Sequence, residues 1–294
     1  MDLAWQLLVN SIYSACSIFL VGISFSLIFT TARFFHFAHA AVITSGAYAC
    51  FAFSQWLNLT TFESIALALA TGTGIGWCLE LAVYRRMRHK GASPLILLLA
   101  SLGLYIVLQN GISMLFGDDT KVISGSDVAP SFGFLGAKIT GIQLAVLGVA
   151  VAVFLAKVFL IDRTRIGLAL RAVADSPELA KISGIEFDKT VGIAFCLGSF
   201  LASVVGLLRA FDVGMTPTMG LPMLLLGVVA VVLGGNGKAL GVAIASLLLA
   251  FCQQIAGWQL GTHWEETAAF VLLLAFLLYR PQGLLGKKQV SASV

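Results

Sequence analysis

Two histidines come closest, by type and spacing, to a reactive site in this chain. His36 and His39 are three apart, so a helix would place both on one face. A zinc site needs three or four ligands, and no further Cys, His, Asp or Glu joins the pair by spacing. All five cysteines lie in apolar segments without paired spacing, which argues against disulfides and metal sites. We therefore predict no metal site and no catalytic cluster of nucleophile and base.

The remaining candidates are mainly neutral polar residues inside apolar segments. Such side chains either hydrogen-bond between helices, contributing about 0.6 to 2 kcal/mol each in a membrane, or line a path for a solute, and the spacing leaves both interpretations open. The acidic residues lie near segment ends, so the carboxylate relay of a proton-coupled transporter is not predicted. The residues assigned to a translocation pathway are Asn10, Tyr13, Ser14, His36, His39, Gln109, Asn110, Gly234, Gly235 and Asn236.

Three glycines surround Asn236 in the sequence Gly234-Gly235-Asn236-Gly237. Glycine adopts positive φ readily, so this stretch predicts either a tight turn or an unwound helix end. An unwound end would expose backbone amides to a substrate carboxylate, as broken helices do in other transporters. The segment from Phe37 to Gly46 is its counterpart if the chain contains a weak internal duplication.

One stretch, Asp162 to Lys189, is far more charged than the apolar sequence on both sides of it. It contains an N-cap residue, a proline suited to the first helical position and a terminal glycine, at Ser176, Pro177 and Gly184. Leu179 and Ile182 are three apart, on one face of the helix so defined. We expect two short helices with apolar and basic surface, which indicates a docking surface rather than a flexible tether.

The elements that position these residues are predicted to be membrane helices. The chain is 59% hydrophobic and 11% charged, with a mean hydropathy of +0.97, too apolar for one water-soluble core of 294 residues. A helix crosses about 30 Å of hydrocarbon with about 20 apolar residues. Nine such segments are predicted, with eight or ten as alternatives, near 5–31, 38–57, 62–84, 94–116, 141–161, 190–211, 219–235, 239–258 and 265–280.

The predicted fold class is thus all-α: a polytopic membrane helical bundle in a single domain over residues 1–294. Residues 162–189 form a loop within that domain. The seventh segment is short and ends in glycine, so it is a candidate for a broken or re-entrant helix.

The distribution of charge predicts the orientation in the cell (inner) membrane. Fifteen of the 18 Lys and Arg residues fall on one side, and the exceptions are Lys121, Lys138 and Arg209. Cytoplasmic loops retain positive charge, so we expect the amino terminus outside and the carboxyl terminus and the 162–189 loop in the cytoplasm. No signal-peptide cleavage pattern precedes the first segment, which is expected to stay as an anchor. No basic motif indicates nucleic acid.

The sequence RIGLALRAVADSPELAKISGI resembles the cytoplasmic coupling segment of the branched-chain amino acid permease family of ABC importers. The resemblance continues along nearly the whole chain. It runs in order through Phe37-Ala38-His39, Ser101-Leu102-Gly103, Gly234-Gly235 and the ending from Arg280 to Leu284. Of the two paralogous subunits in the family, the chain is similar to the H-type (Liv-type) permease.

This resemblance implies a permease for branched-chain or similar neutral amino acids. It also implies a homologous permease as heterodimer partner, two cytoplasmic ATPase subunits and an extracytoplasmic substrate-binding protein, in a membrane lipid environment. The residues that it assigns to ATPase coupling are Arg163, Arg165, Ile166, Gly167, Arg171, Ala172, Asp175, Leu179, Gly184 and Ile185. No cofactor is expected in this chain, because it has no G-x-x-x-x-G-K-[ST] phosphate loop; ATP and Mg²⁺ would be used by partner subunits.

The sequence departs from the family pattern after the first segment. That pattern reads Asn-Phe-Ala-His-Gly-Glu, whereas His36-Phe37-Ala38-His39-Ala40-Ala41 stands here, so the substrate stays open. Urea, short amides or another amino acid would suit a permease of the same family. The alternative to an ABC permease is an ion-coupled secondary transporter, which needs no ATPase.

Overall fold

The computed structural model describes residues 2–123, 131–134, 137–235, 237–280 and 283–285, and this part of the chain is almost entirely helical. Helices α1 to α12 span Asp2–Ala32, Ala38–Gln55, Thr61–Leu79, Arg85–His89, Pro94–Phe116, Gly141–Arg163, Arg165–Asp175, Pro177–Ile182, Phe187–Val213, Gly220–Gly234, Ala239–Leu260 and Glu265–Tyr279. A π-helical segment, Glu80–Tyr84, joins α3 to α4, and a 3₁₀ turn, Thr262–Trp264, precedes α12. Strands β1 (Ser131–Phe134) and β2 (Ala137–Thr140) pair antiparallel, with Ser131 opposite Thr140.

Each of the nine predicted segments contains an apolar helix, and the predicted all-α membrane bundle is confirmed. Among the described residues, six helices are long and apolar enough to cross a membrane: α1, α3 with its continuation to His89, α5, α6, α9 and α11. Helices α2, α10 and α12 have 18, 15 and 15 residues, so the number of crossings stays a prediction. Helix α10 is continuous from Gly220 to Gly234, about 22 Å long, which is less than the hydrocarbon thickness.

Several helices begin at capping residues that can be read from the sequence. Thr60 and Thr140 each accept a hydrogen bond from the backbone N–H three residues ahead, and Glu63 and Gln143 bond back to the two cap N–H groups. Ser93 caps α5 and is followed by Pro94 at the first helical position. These reciprocal bonds satisfy N–H groups that would otherwise be unpaired at the helix start.

Helix α1 lies at the centre of the bundle, in contact with α9, α10 and α11, whereas α2 packs against α3, α5 and α9. The most apolar 18-residue window of α1 is 67% buried, but those of α5 and α6 are each 17% buried. Helices α5 and α6 therefore lie at the periphery, where lipid or another subunit would cover them.

Small residues allow α3 and α9 to approach closely. A Cβ atom added to Gly76 would lie 1.8 Å from Ser199 Oγ, and one added to Gly72 would lie 1.9 Å from Ser203 Oγ. Van der Waals contact between closely packed helices stabilises bundles in lipid, where burial of apolar surface gives no advantage. Gly72 and Gly76 therefore serve close helix packing.

The bundle has two chemically distinct ends. At the first, called the basic end, Arg33 at the close of α1 contacts the last residues of α7, and Asp188 at the start of α9 contacts Arg88 of α4. At the other, called the distal end, Tyr13 contacts Asp212, and Lys121 pairs with Met215. The three exceptional basic residues lie at the distal end, as predicted: Lys121, Lys138 and Arg209.

Candidate functional site

Helices α7 and α8 are the two short helices that the sequence predicts within residues 162–189. Thr164 caps α7 by accepting a hydrogen bond from the Gly167 N–H at 3.1 Å. Ser176 caps α8 by accepting one from the Leu179 N–H at 3.4 Å, and Gly184 follows α8 with φ of 82°. The predicted cap and stop of α8 are confirmed, whereas the cap at Thr164 was missed although a threonine before a helix is a readable signal.

The corner between α6 and α7 depends on Gly167. A Cβ atom at this position would lie 2.1 Å from the Leu160 carbonyl oxygen and 2.5 Å from Ile161 Cα. Both neighbours are backbone atoms of α6, so they cannot move aside as a side chain would. Any larger residue would therefore change the angle at which α7 leaves α6.

The faces of α7 and α8 divide into a buried and an exposed set. Gly167, Leu170 and Val173 are buried against the bundle, so α7 is held by an apolar stripe at helical spacing. On the opposite side the exposed fractions of Leu168, Leu179 and Ile182 are 59%, 65% and 82%. These three side chains, with the exposed Ile166, Arg165 and Lys181, are called the coupling surface below.

The other residues predicted for coupling lie close to this surface. Arg163, Arg171, Asp175 and Gly184 are also exposed, Ala172 and Ile185 are half-buried, and Gly167 is buried in the corner. The predicted set thus mixes residues that present a surface with residues that build the helices beneath it.

Arg33 fastens the end of α7 to the end of α1. Its Nη2 donates to the carbonyl oxygens of Ala174 and Asp175 at 2.8 and 2.9 Å, and Arg33 itself adopts φ of 57°. A cation at the carboxyl end of a helix satisfies free carbonyl groups and suits the helix dipole. Sequence reasoning counted Arg33 only as a charge, since its partners lie about 140 residues further along.

An ion-pair bridge connects α3 and α4 with the start of α9. Arg88 donates to both carboxylate oxygens of Glu80, with Nη1 at 3.0 Å from Oε2, and its Nη2 lies 3.2 Å from Asp188 Oδ1. Asp188 also accepts from His89 Nε2 at 2.8 Å and lies 3.7 Å from Arg85 Nε. Glu80 is fully buried in the π-helical segment. Sequence reasoning missed this bridge.

Phe187 links the bridge to the coupling helices. Its ring lies 5.6 Å from the Arg88 guanidinium carbon and 5.1 Å from Lys181 Nζ, both within cation–π range. Lys181 belongs to α8. A displacement of α8 would therefore move Phe187, and through Phe187 it would also displace Arg88 and the π-helical segment.

The two histidines lie inside the protein near the π-helical segment. His36 and His39 are fully buried; His36 Nδ1 is 3.1 Å from the Tyr84 hydroxyl, and His39 Nε2 is 3.0 Å from Ser24 Oγ. The described residues contain no group of three or more His, Cys, Asp or Glu that could hold a metal ion. The pair is therefore part of the packed core next to Tyr84 and Phe195.

A cavity of about 470 Å³ opens among α1, α9, α10 and α12 at the distal end. Its apolar walls include Ile18, Val205 and Leu226, and its polar groups include Arg209 together with the carboxylates of Glu265 and Glu266. The cavity also contains Tyr13, Ser14, Ser17, Thr216, Thr218 and Gln253. It can therefore offer a cation, two anions and hydroxyl groups around an aliphatic wall.

Tyr13 is fixed at this cavity by Asp212. Its hydroxyl donates to Asp212 Oδ2 at 2.5 Å. Arg209 and Asp212 have the spacing of an ion pair, but Asp212 instead accepts from Tyr13, and the described residues show no ion pair of Arg209. The guanidinium of Arg209 is exposed, so it is available to a ligand carboxylate.

The structure brings only part of the predicted pathway set together. Tyr13 and Ser14 line the distal cavity, and Asn10, one turn away on α1, accepts from Gln6 at 3.1 Å. Gln109 and Asn110 lie on peripheral α5, where Asn110 is exposed and bonds to the Ile106 carbonyl oxygen at 2.8 Å. His36 and His39 do not line the distal cavity.

The glycines after α10 form a tight turn at the basic end. Gly235 and Gly237 have φ of 90° and 84°, and the backbones of Gly234 and Gly241 approach so closely that a Cβ at Gly241 would lie 2.1 Å from the Gly234 oxygen. The Leu284 N–H donates to the Leu233 oxygen at 2.7 Å, so the segment after α12 covers the end of α10. Asn236 lies outside the described residues.

Comparison with known proteins gives one family. The profile described as "Branched-chain amino acid transport system / permease component" matches residues 7–279. The permease protein LivH of a high-affinity branched-chain amino acid transport system from Salmonella typhimurium is 28% identical over 97% of this chain and 96% of its own length. The corresponding BraD of Pseudomonas aeruginosa is 27% identical over the same shares. The ribose import permease RbsC of Escherichia coli is 27% identical over 66% of this chain and 61% of its own length.

Proposed function

The chain belongs to the family of permease components of branched-chain amino acid transport systems, and we propose that it is the permease subunit of an ABC importer for branched-chain or similar neutral amino acids. The match over residues 7–279 carries this proposal. As a member of this family the chain is a transport subunit and a multi-pass inner-membrane protein, which works together with ATPase and binding-protein components.

The proposed assembly contains this chain, a homologous permease, two cytoplasmic ATPase subunits and an extracytoplasmic binding protein. The basic end faces the cytoplasm, since positive loops stay there, and the amino terminus is outside. ATP and Mg²⁺ are used by the ATPases, which dock on the coupling surface of the 162–189 loop. The exposed Leu168, Leu179 and Ile182 support this docking, because large apolar side chains exposed beside basic groups are typical of a protein interface.

The contacts beneath the coupling surface give a route for motion into the membrane. Closure of the ATPases would displace α7 and α8, which are attached to α1 through Arg33 and to α4 through Lys181, Phe187 and Arg88. Arg88 is paired with Glu80 in the π-helical segment, and π-helical turns are common at functional sites. In this proposal α7 and α8 move together, and their contacts with α1 and α4 transmit that movement to the membrane helices.

The distal cavity is the proposed entry for substrate released by the binding protein. Its chemistry complements a zwitterion with an aliphatic side chain: Arg209 faces the carboxylate, Glu265 or Glu266 the ammonium group, and residues such as Ile18 and Leu226 the side chain. Its volume of about 470 Å³ lies in the range of small-molecule sites.

The face of α5 is the proposed contact with the second permease. Ile106, Val107 and Met114 are 50%, 67% and 89% exposed, and Gly103 and Gly111 have open space where a Cβ would lie. Small residues and one polar side chain, here Asn110, are typical of helix interfaces in membranes. Asn110 would thus act between subunits rather than within the pathway.

The decisive experiment is uptake by the reconstituted complex. We would purify the full chain with the proteins bound to it, identify them by mass spectrometry, and measure labelled leucine uptake into proteoliposomes. We expect uptake that requires ATP and is blocked by vanadate, with competition by isoleucine and valine but not by urea or ribose. Uptake that follows an ion gradient and ignores vanadate would instead establish the secondary transporter.

The coupling surface is tested by changing Leu179 and Ile182 to Asp together. Both side chains are exposed, so the membrane fold should persist while ATP-driven leucine uptake falls at least tenfold. The matched control is Leu57→Asp, which changes a residue 60% exposed at the distal end and should leave uptake unchanged. Equal uptake in both variants would refute docking at this surface.

A further inference from the structure

A second cavity, called the basic cavity, lies at the basic end of the bundle, and its lining residues include Arg33, Ala174 and Asp175, whose contact is described above. Its volume is about 700 Å³, and it is enclosed by the last turns of α1 and α6, by α7 and by the turn before α11. Ser26 and Lys157, which line it, each lie about 9 Å before the ends of their helices. The cavity therefore reaches nearly two turns into the bundle.

The charges around the basic cavity are strongly unbalanced. Four cationic side chains line it, and Asp175 is the one carboxylate among the lining residues that the structure describes; the cations are Arg33, Lys157, Arg171 and Lys238. Arg33 donates through Nη2 to two backbone carbonyl oxygens and Lys238 donates to one, so both side chains keep further N–H groups. Side chains of like charge repel one another, so an anion between them would stabilise the arrangement.

Two buried polar atoms at this cavity lack a partner. Lys157 is 9% exposed and Ser26 is 1% exposed, and neither Lys157 Nζ nor Ser26 Oγ has a hydrogen-bond partner among the described residues. A buried ammonium group without a partner is destabilising unless an opposite charge is supplied. An ammonium and a hydroxyl are both donors, so the missing group is an acceptor with negative charge.

We infer that the basic cavity binds the phosphate group of an anionic phospholipid. A phosphate presents several acceptor oxygens and can accept from Lys157, Ser26 and Arg33 at once. Basic pockets between helices on the cytoplasmic side commonly hold anionic headgroups. On the peripheral α6, next to Lys157, Leu155, Val158 and Phe159 are 60%, 41% and 64% exposed, which provides an apolar surface for the acyl chains and favours a lipid over free phosphate.

The bound headgroup would contact both α7 and the turn before α11, since Arg171, Asp175 and Lys238 share the cavity with Lys157. It would thereby fill the space between the membrane helices and the helix that carries the coupling surface. This inference does not depend on which solute is transported.

The test uses the full complex in nanodiscs that contain phosphatidylglycerol and phosphatidylcholine, followed by native mass spectrometry of the released complex. We expect selective retention of phosphatidylglycerol by the wild type. Lys157→Met should reduce that retention about fivefold or more, the factor for one basic residue at an anionic membrane surface. Lys157→Arg should preserve it, and Ser26→Ala should reduce it several-fold through the loss of one donor.

The control is Lys189→Met, which removes the same charge from an exposed lysine paired with Glu186 at the same end and should leave retention unchanged. Should Lys157→Met not accumulate, Ser26→Ala gives the same comparison. Equal retention of the two lipids, or an equal loss in the Lys157 and Lys189 variants, would overturn the site. Displacement of the lipid by millimolar inorganic phosphate would overturn its assignment to phospholipid.

Discussion

The buried ion pair of Glu80 and Arg88 depends on an irregular turn. The two residues are eight apart, and a regular α-helix would place them about 80° apart around its axis. The additional residue in the π-helical turn between them reduces this angle to about 20°. The side chains are 1% and 11% exposed, so each charge compensates for the desolvation of the other.

We expect Arg88→Met to lower the free energy of unfolding by about 3 to 5 kcal/mol, because it leaves the Glu80 carboxylate buried without its partner. The double variant Glu80→Gln with Arg88→Met should recover most of this loss, since neither charge remains. Unfolding by sodium dodecyl sulfate in mixed micelles measures both changes.

Lys189→Met serves as the control for this pair. Lys189 and Glu186 are 2.7 Å apart, with side chains 71% and 65% exposed, and such surface pairs contribute little. The expected result is no measurable change. If Arg88→Met proved as stable as Lys189→Met, the ion pair would have no structural role.

Arg209 is the residue at which the proposed substrate site is most directly tested. Arg209→Met should raise the KM for leucine uptake about tenfold with little change in the maximal rate, because it removes a contact made during binding. Lys138→Met, at the same end but not among the residues of the distal cavity, should leave KM unchanged. An unaltered KM in Arg209→Met would contradict the proposed binding of the carboxylate.

At the scale of elements, the corner between α6 and α7 sets the position of the coupling surface. Gly167→Ala places a Cβ against the α6 backbone, 2.1 Å from the Leu160 oxygen in the present geometry, so α7 must move. We expect ATP-driven uptake to fall at least tenfold. Gly148→Ala, on the same α6 but with open space around its Cβ position, is the matched control, and similar uptake in both variants would show that the corner is dispensable.

Helices α7 and α8 show which features of a helix can be predicted from neighbouring residues. Ser176, Pro177 and Gly184 act only on neighbours within one helical turn, so the start and end of α8 could be predicted from sequence. The exposed side of α7 and α8 was also predictable in part, since Leu179 and Ile182 share one face. Leu170, however, belongs to the buried stripe, and only its contact with the bundle reveals this.

At the scale of the whole molecule, the separation of charge predicts a single orientation. In a variant with its five native cysteines changed to Ala, Asp119→Cys should react with a membrane-impermeant maleimide in intact cells. Ser183→Cys should react only after permeabilisation. Both positions are exposed, at the distal and basic ends respectively. The reverse pattern would place the coupling surface outside and exclude its access to cytoplasmic ATPases.

The sequence by itself determined the properties that depend on composition and on close neighbours: the nine apolar helices, the separation of basic residues and the capped helix α8 of the 162–189 loop. It also determined the family, because short motifs occur in a fixed order along nearly the whole chain. The tertiary structure alone placed Tyr13, Arg209 and Glu265 around one cavity, and Lys157 and Ser26 around another.

The reason is that the long membrane helices are apolar on nearly all sides, so no amphipathic stripe shows which face is turned inward. Rotation of each helix is fixed by contacts such as those of Gly72 and Gly76 with α9, which join residues far apart in the sequence. Arg33 and the end of α7, about 140 residues apart, meet for the same reason. Even in the amphipathic α7, the buried position of Leu170 is decided by contact with the bundle.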